Sequence, residues 1–166
     1  QEFNAHQLNE SSIKISNKGV IDLFYETVDE NPNAVALVNN HQVLTYQELD
    51  KRSNQIANYL ISEVGLKKES TVGIFYSKNC EMIAAILGIM KAGCVYVPVD
   101  SNNPESRIKF LYEDSKCSLV FTEEQLLQNI KNLHPKIINS ALIGNNSVRP
   151  KVNYSQNDLA YIMYTS

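Results

Sequence analysis

The sequence predicts an α/β fold organised around a parallel sheet, on three observations. Short apolar runs, TVGIFY (71–76), CVYVPV (94–99) and CSLVF (117–121), recur along the chain with the length and β-branched content of strands. Segments of helical periodicity lie between them, and strands alternating with helices make βαβ units with right-handed crossovers. The chain has 166 residues, 43% of them hydrophobic and 20% charged, which is enough length and apolar content to enclose one core.

Residues 1–19 are polar, rich in Asn and Ser and without sustained periodicity, and read as an interdomain linker; residues 20–166 read as the folded part. Val20, Ile21, Phe24 and Val28 share one face of a first helix, which Asn31-Pro32 stops. AVALV (34–38) and VLTY (43–46) flank the polar NNHQ and predict a β-hairpin. Thr45-Tyr46-Gln47-Glu48 is a capping box: the Thr45 hydroxyl can accept from the Glu48 amide while the Glu48 carboxylate accepts from the Thr45 amide. Leu49, Ser53, Ile56, Ala57, Leu60 and Val64 continue that helix, and Gly65 terminates it. After TVGIFY, a helix runs from Asn79 to Lys91-Ala92. Its middle, MIAAILGIM, is apolar almost all round and should be buried on more than one side. Gly93 reads as a left-handed cap, and Lys91 as a cation complementing the helix dipole.

In CVYVPV, Pro98 places a strand end or an edge. Pro104 opens the next helix, with Ile108, Leu111 and Ser115 on one face. Thr122-Glu123-Glu124-Gln125 predicts a second capping box, leading into Leu126, Leu127, Ile130 and Leu133, with Pro135 as the stop. KIINSALI (136–143) holds a further predicted strand, GNNSVRPKVNYSQND (144–158) is a polar connection, and LAYIMY (159–164) predicts a buried parallel strand that hands over to Thr165 and Ser166.

Composition excludes several classes of function. A formal net charge of −3 argues against a nucleic-acid binder, which would normally show a basic face. No apolar run approaches the roughly 18 residues of a membrane span. Cys80, Cys94 and Cys117 are odd in number and widely spaced, which fits reduced thiols and a cytoplasmic location. His6, His41 and His134 are scattered without partners at ligand spacing, so no metal site is expected from this chain. The chain begins with Gln1, not an initiator methionine, and reads as an excised segment.

Ligands of open α/β sheets bind beyond the carboxyl ends of the strands. Here those ends are Tyr76 to Asn79, Pro98 to Ser101, Thr122, and Thr165-Ser166. Asp100 reads as a turn-ordering residue before Pro104, Lys78 as a solvated loop lysine, and Tyr46, Tyr96 and Tyr161 as packed aromatics. No glycine-rich loop, Ser/His/Asp set or HExxH occurs, so no catalytic residue is assigned within the chain. What remains is a nucleotide-type scaffold.

Three segments then act together. LTYQEL (44–49), MKAGCVYVPVD (90–100) and DLAYIMYTS (158–166) resemble, in order and spacing, the first three core motifs of nonribosomal peptide synthetase adenylation domains, members of the adenylate-forming superfamily. NPNAVAL (31–37) and PESRIKFLYEDS (104–115) resemble intervening family segments, and EFN (2–4) resembles the linker from an upstream condensation domain. The VPVD form of the second motif favours the peptide-synthetase branch.

The resemblance implies the N-terminal part of a domain that activates an amino acid with ATP and Mg2+ as aminoacyl-AMP. The acyl group then passes to the phosphopantetheine of a downstream carrier domain. In the family the third motif continues into a glycine-rich loop whose amides and small hydroxyls hold the ATP phosphates. Thr165 and Ser166 match its first two polar positions and are the two residues implied to face the phosphates. A fragment of an acyl- or aryl-CoA ligase, or a non-catalytic α/β interaction or ligand-binding module, are the alternatives. Because the matched loop covers only Thr165 and Ser166, the 166-residue chain by itself is expected to be inactive. Purified alone, it should give no amino-acid-dependent ATP–pyrophosphate exchange above a buffer blank.

Overall fold

The computed structural model describes residues 18–39, 42–133, 136–155 and 157–165. The linker reading therefore lies outside the described residues except for Lys18 and Gly19, as do His6, His41, His134, Pro135 and Ser166.

Helix α1 (Val20–Glu30) follows Gly19, whose amide donates to Asp22 Oδ2 at 2.9 Å, and buries Ile21 and Val28. Strands β1 (Val35–Asn39) and β2 (Gln42–Thr45) form the antiparallel hairpin, with Val38 opposite Val43. Helix α2 (Tyr46–Asn58) opens on the predicted capping box: the Thr45 amide donates to Glu48 Oε2 at 2.8 Å and the Glu48 amide to Thr45 Oγ1 at 3.3 Å. The helix then widens into a π-helical turn, Tyr59–Val64, which Gly65 ends in the left-handed conformation at φ +73°.

From there strands and helices alternate: β3 (Thr71–Phe75), α3 (Cys80–Lys91), β4 (Val95–Pro98), α4 (Glu105–Asp114), β5 (Leu119–Thr122), the short α5 (Leu127–Ile130) and β6 (Lys136–Asn139). The four strands β3 to β6 pair in parallel in the order β4-β3-β5-β6, as the α/β prediction requires.

Side-chain alternation divides the core between the two faces of the sheet. Val72 and Ile74 of β3 and Leu119 and Phe121 of β5 pack with Leu49, Ile56 and Leu60 of the α2 segment and Ala84, Ala85 and Ile89 of α3. Phe75 and Val120 face the other way, against Ile108, Leu111 and Tyr112 of α4 and Ile130 of α5. Helix α3 is covered on more than one side, with Met82, Ile83, Ile86 and Leu87 partly buried against the same cluster. Two glycines permit the closest approaches. A Cβ on Gly73 would lie 2.6 Å from the Tyr112 ring, whose hydroxyl donates to the Ile74 carbonyl at 2.9 Å. A Cβ on Gly88 would lie 2.6 Å from Ile56 Cβ and 2.8 Å from the Ser53 carbonyl, so glycine sets the α2–α3 separation.

Two expectations are corrected and one is narrowed. Thr122 does not cap a helix: it ends β5, buried, and its hydroxyl donates across the sheet to the Phe75 carbonyl at 2.8 Å. A 3₁₀ turn, Glu124–Leu126, precedes α5 instead. KIINSALI is a strand only over Lys136–Asn139; Asn139 Oδ1 accepts from the Ala141 amide and turns the chain into a 3₁₀ turn, Ser140–Leu142. The closing LAYIMY pairs with β4 as predicted in direction, but it lies at the sheet edge and is not buried. The Tyr96 amide donates to the Ala160 carbonyl at 3.1 Å and the Ile162 amide to the Tyr96 carbonyl at 3.0 Å. Ile162 and Tyr164 pack inward, whereas Leu159, Tyr161 and Met163 remain 58%, 53% and 61% exposed.

Gly88→Ala should lower the unfolding free energy by about 1–3 kcal/mol, the usual cost of overpacking a tight core, because the obstructing atoms include the Ser53 backbone. Chemical denaturation measures it.

Candidate functional site

The parallel register brings five segments to one edge. Val72, Tyr96, Leu119, Lys136 and Tyr161 form one row across the sheet and its closing segment. Four residues further on, the segments reach Tyr76, Asp100, Glu123, Ser140 and Thr165 at the carboxyl edge. That edge is where the ends of parallel strands leave room for a ligand.

Its rim is held by side chains from different strands. Glu123, just past β5, accepts from the Ser77 amide at 2.8 Å, the Ser77 hydroxyl at 2.6 Å and Asn79 Nδ2 at 2.7 Å. Asn79 Oδ1 in turn accepts from the Met82 amide at 2.9 Å and caps α3. One carboxylate therefore fixes the β3–α3 loop and the start of α3. Arg52 of α2 donates from Nε to both Glu81 oxygens at 3.0 and 3.1 Å, and from Nη2 to the Ser140 carbonyl at 2.7 Å. This ties α2, α3 and the end of β6 together.

Asp100 orders its turn as expected, accepting from the Asn102 amide and side chain at 2.9 Å. Lys78 is exposed. Tyr96 stacks on Tyr161 with ring centroids 5.5 Å apart. Thr165 stands exposed beyond the closing segment. No cluster of three metal-ligating side chains occurs among the described residues, and no described helix is long and apolar enough to cross a membrane.

The opposite edge holds a group that periodicity assigned only to a helix end. Lys91 is fully buried, and its ammonium donates to Asp50 Oδ1 at 2.6 Å, Ser53 Oγ at 2.8 Å and Asn54 Oδ1 at 2.8 Å, all on α2. It also lies 4.9 Å from the ring centroids of Phe24 and Tyr25. A buried ammonium is tolerated when its protons and its charge are both matched. The signal was present in the sequence as three polar residues, Asp50, Ser53 and Asn54, set among the apolar positions of α2. Asp50 is shared: its Oδ2 accepts from Arg149 Nε at 3.2 Å, and Arg149 reaches Asp29 of α1 with its other nitrogens at 3.0 and 2.8 Å.

The AMP-binding enzyme family matches the chain over residues 24–166, and the chain belongs to that family. It is 39% identical over 146 residues to a linear gramicidin synthase subunit of Brevibacillus parabrevis, a match covering 86% of this chain and 2% of that protein. It is 34% identical over 165 residues to bacitracin synthase 3 of Bacillus licheniformis, covering 97% of this chain and 2% of that one. Among solved structures, the nonribosomal peptide synthetase FmoA3 in its AMPPNP-bound form superposes with a TM-score of 0.88 at 26% identity, over 97% of this chain and 18% of its own. The chain thus spans a small part of the proteins it resembles.

Burial pushes the Lys91 ammonium down to about 8 from its ordinary 10.5, against the raising pull of the Asp50 carboxylate. Between those values the folded chain has released a proton that the unfolded chain still holds, so this group makes stability rise with pH across that window. The difference in unfolding free energy between wild type and Lys91→Met should shift in favour of wild type from about pH 8 to about pH 10 in denaturant titrations.

Proposed function

We propose that the chain is the opening part of an adenylation domain of a nonribosomal peptide synthetase, working in the cytoplasm. Residues 1–19 are its linker from an upstream condensation domain, and a carrier domain follows downstream. The observation that carries this reading is the closing segment. It delivers Thr165 to the carboxyl edge of the parallel sheet, in a chain with 39% identity over 146 residues to part of a gramicidin synthase. The three buried, unpaired cysteine thiols support a reducing compartment.

In this reading an amino acid carboxylate oxygen attacks the α-phosphorus of ATP. The bond to the pyrophosphate oxygen breaks, and aminoacyl-AMP and pyrophosphate result. The thiol of phosphopantetheine then attacks the acyl carbonyl, forming a thioester and releasing AMP. The protein forms no covalent bond of its own, so rate comes from positioning and from neutralising charge on the phosphates. Mg2+ bound with the nucleotide would supply part of that neutralisation.

This chain supplies the rim. Glu123 and Arg52 hold the loops around the site, and Thr165 and Ser166 open the phosphate loop, where a hydroxyl can donate to a phosphate oxygen. Thr165 is exposed and free to do so without rearrangement of the core.

The intact polypeptide carrying this chain should exchange labelled pyrophosphate into ATP with one or a few of the twenty amino acids. CoA-dependent consumption of a fatty or aryl acid, with no exchange for any amino acid, would overturn the reading. Thr165→Ala should lower kcat/KM for ATP about ten- to hundredfold, the worth of one hydrogen bond to a charged group.

A further inference from the structure

The polar connection from Asn146 to Ser155 contains no helix or strand, yet it is tied to the domain along its length. Asn58 Nδ2 of α2 donates to the Asn146 and Val148 carbonyls at 2.9 and 2.8 Å, and Asn54 Nδ2 donates to the Ser147 carbonyl at 3.1 Å. Arg149 bridges Asp50 and Asp29, with its guanidinium 4.4 Å from the Tyr25 ring centroid. Val152 lies against Gly93, where a Cβ would come within 3.1 Å of its Cγ1. Lys68 donates to the Asn153 carbonyl at 3.2 Å, and the Tyr154 hydroxyl donates to the Lys91 carbonyl at 2.7 Å. Asp158, one residue before the closing segment, pairs with Lys68 at 2.8 Å and accepts from the Ser155 amide at 2.7 Å.

The closing segment, by contrast, is weakly specified by its own pairing. It makes a single bridge to β4, through Tyr96, while Ile162 and Tyr164 pack inward and the Tyr164 hydroxyl donates to Asp114 Oδ2 at 2.6 Å. One bridge does not by itself decide between registers two residues apart, because both keep the same side chains inward. A slip of two residues keeps every side chain on its face but moves the strand by roughly 6–7 Å, carrying Thr165 away from the edge.

We propose that residues 146–155 form a strap that sets the register of the closing strand and so places Thr165, with Arg149 and Tyr154 as positioning residues for the phosphate loop. The strap takes its anchorage from the buried polar cluster of α2 and α3. Asp50 links Lys91 to Arg149, and the Lys91 carbonyl receives Tyr154. Side chains of α2 and α3 that never approach the carboxyl edge thereby control the position of a residue on it. The inference rests on the adenylation reading for its kinetic consequence, but not for its structural one.

The test uses the intact polypeptide with Arg149→Met and, as the near-isosteric variant, Tyr154→Phe. Each should raise KM for ATP about tenfold while leaving KM for the amino acid within about twofold. Amide hydrogen exchange at Ile162, whose N–H bonds the Tyr96 carbonyl, should accelerate about tenfold in both. Wild-type exchange at Ile162 in both variants, or an equal rise in both KM values, would overturn the strap. A wild-type polypeptide without pyrophosphate exchange would overturn the adenylation reading instead, and Ile162 would still decide the strap.

Discussion

A fully buried ammonium has to be matched atom by atom, and the amino edge of this domain is arranged around that demand. Lys91 ends α3 with its side chain turned in, and each of its three shortest contacts goes to α2, to Asp50, Ser53 and Asn54. An isolated charge there would cost several kcal/mol, so α2 and α3 must approach closely and in one register. Gly88 makes that approach possible by leaving room for Ile56. The other oxygen of Asp50 accepts from Asn54 and from Arg149, and Arg149 extends the same network outward to α1 and to the polar chain that follows β6.

The two edges of the sheet thus carry different work. The carboxyl edge is a rim of loops fixed by Glu123 and Arg52, open where Thr165 stands. At the amino edge Lys91, Asp50, Ser53, Asn54 and Arg149 bond to one another, and a cavity lies beside them against Val20, Met90, Cys94 and Leu159. Parallel topology makes this separation possible: α3 leaves β3 at the carboxyl edge and returns to β4 at the amino edge, so one helix is capped by Asn79 at the site and locked by Lys91 away from it. The loops at the carboxyl edge frame the place where open α/β sheets take their ligands.

The sequence by itself determined the α/β class, the hairpin, the Thr45 capping box, the Asn79 start of α3 and the glycine stops at Gly65 and Gly93. These follow from period and from single-residue backbone chemistry, which act within a few residues of chain. It also placed Thr165 beyond a strand, because apolar run and polar handover are adjacent. The local pattern around Thr122 fits a capping box equally well, and only the neighbouring β3 carbonyl of Phe75 decided that its hydroxyl bonds across the sheet. Likewise LAYIMY is apolar throughout, but its burial depends on how many neighbours the sheet provides, and here β4 is its partner on one side. The largest differences are Lys91 and the 146–155 strap. A lysine at a helix end reads locally as a complement to the helix dipole, and a run of Asn, Ser and Arg as a polar connection. Their partners lie 41 and 99 residues apart in the cases of Lys91–Asp50 and Arg149–Asp50. Tertiary structure alone decided them, because the matching of a buried charge is a property of the space between elements and not of either element's own sequence.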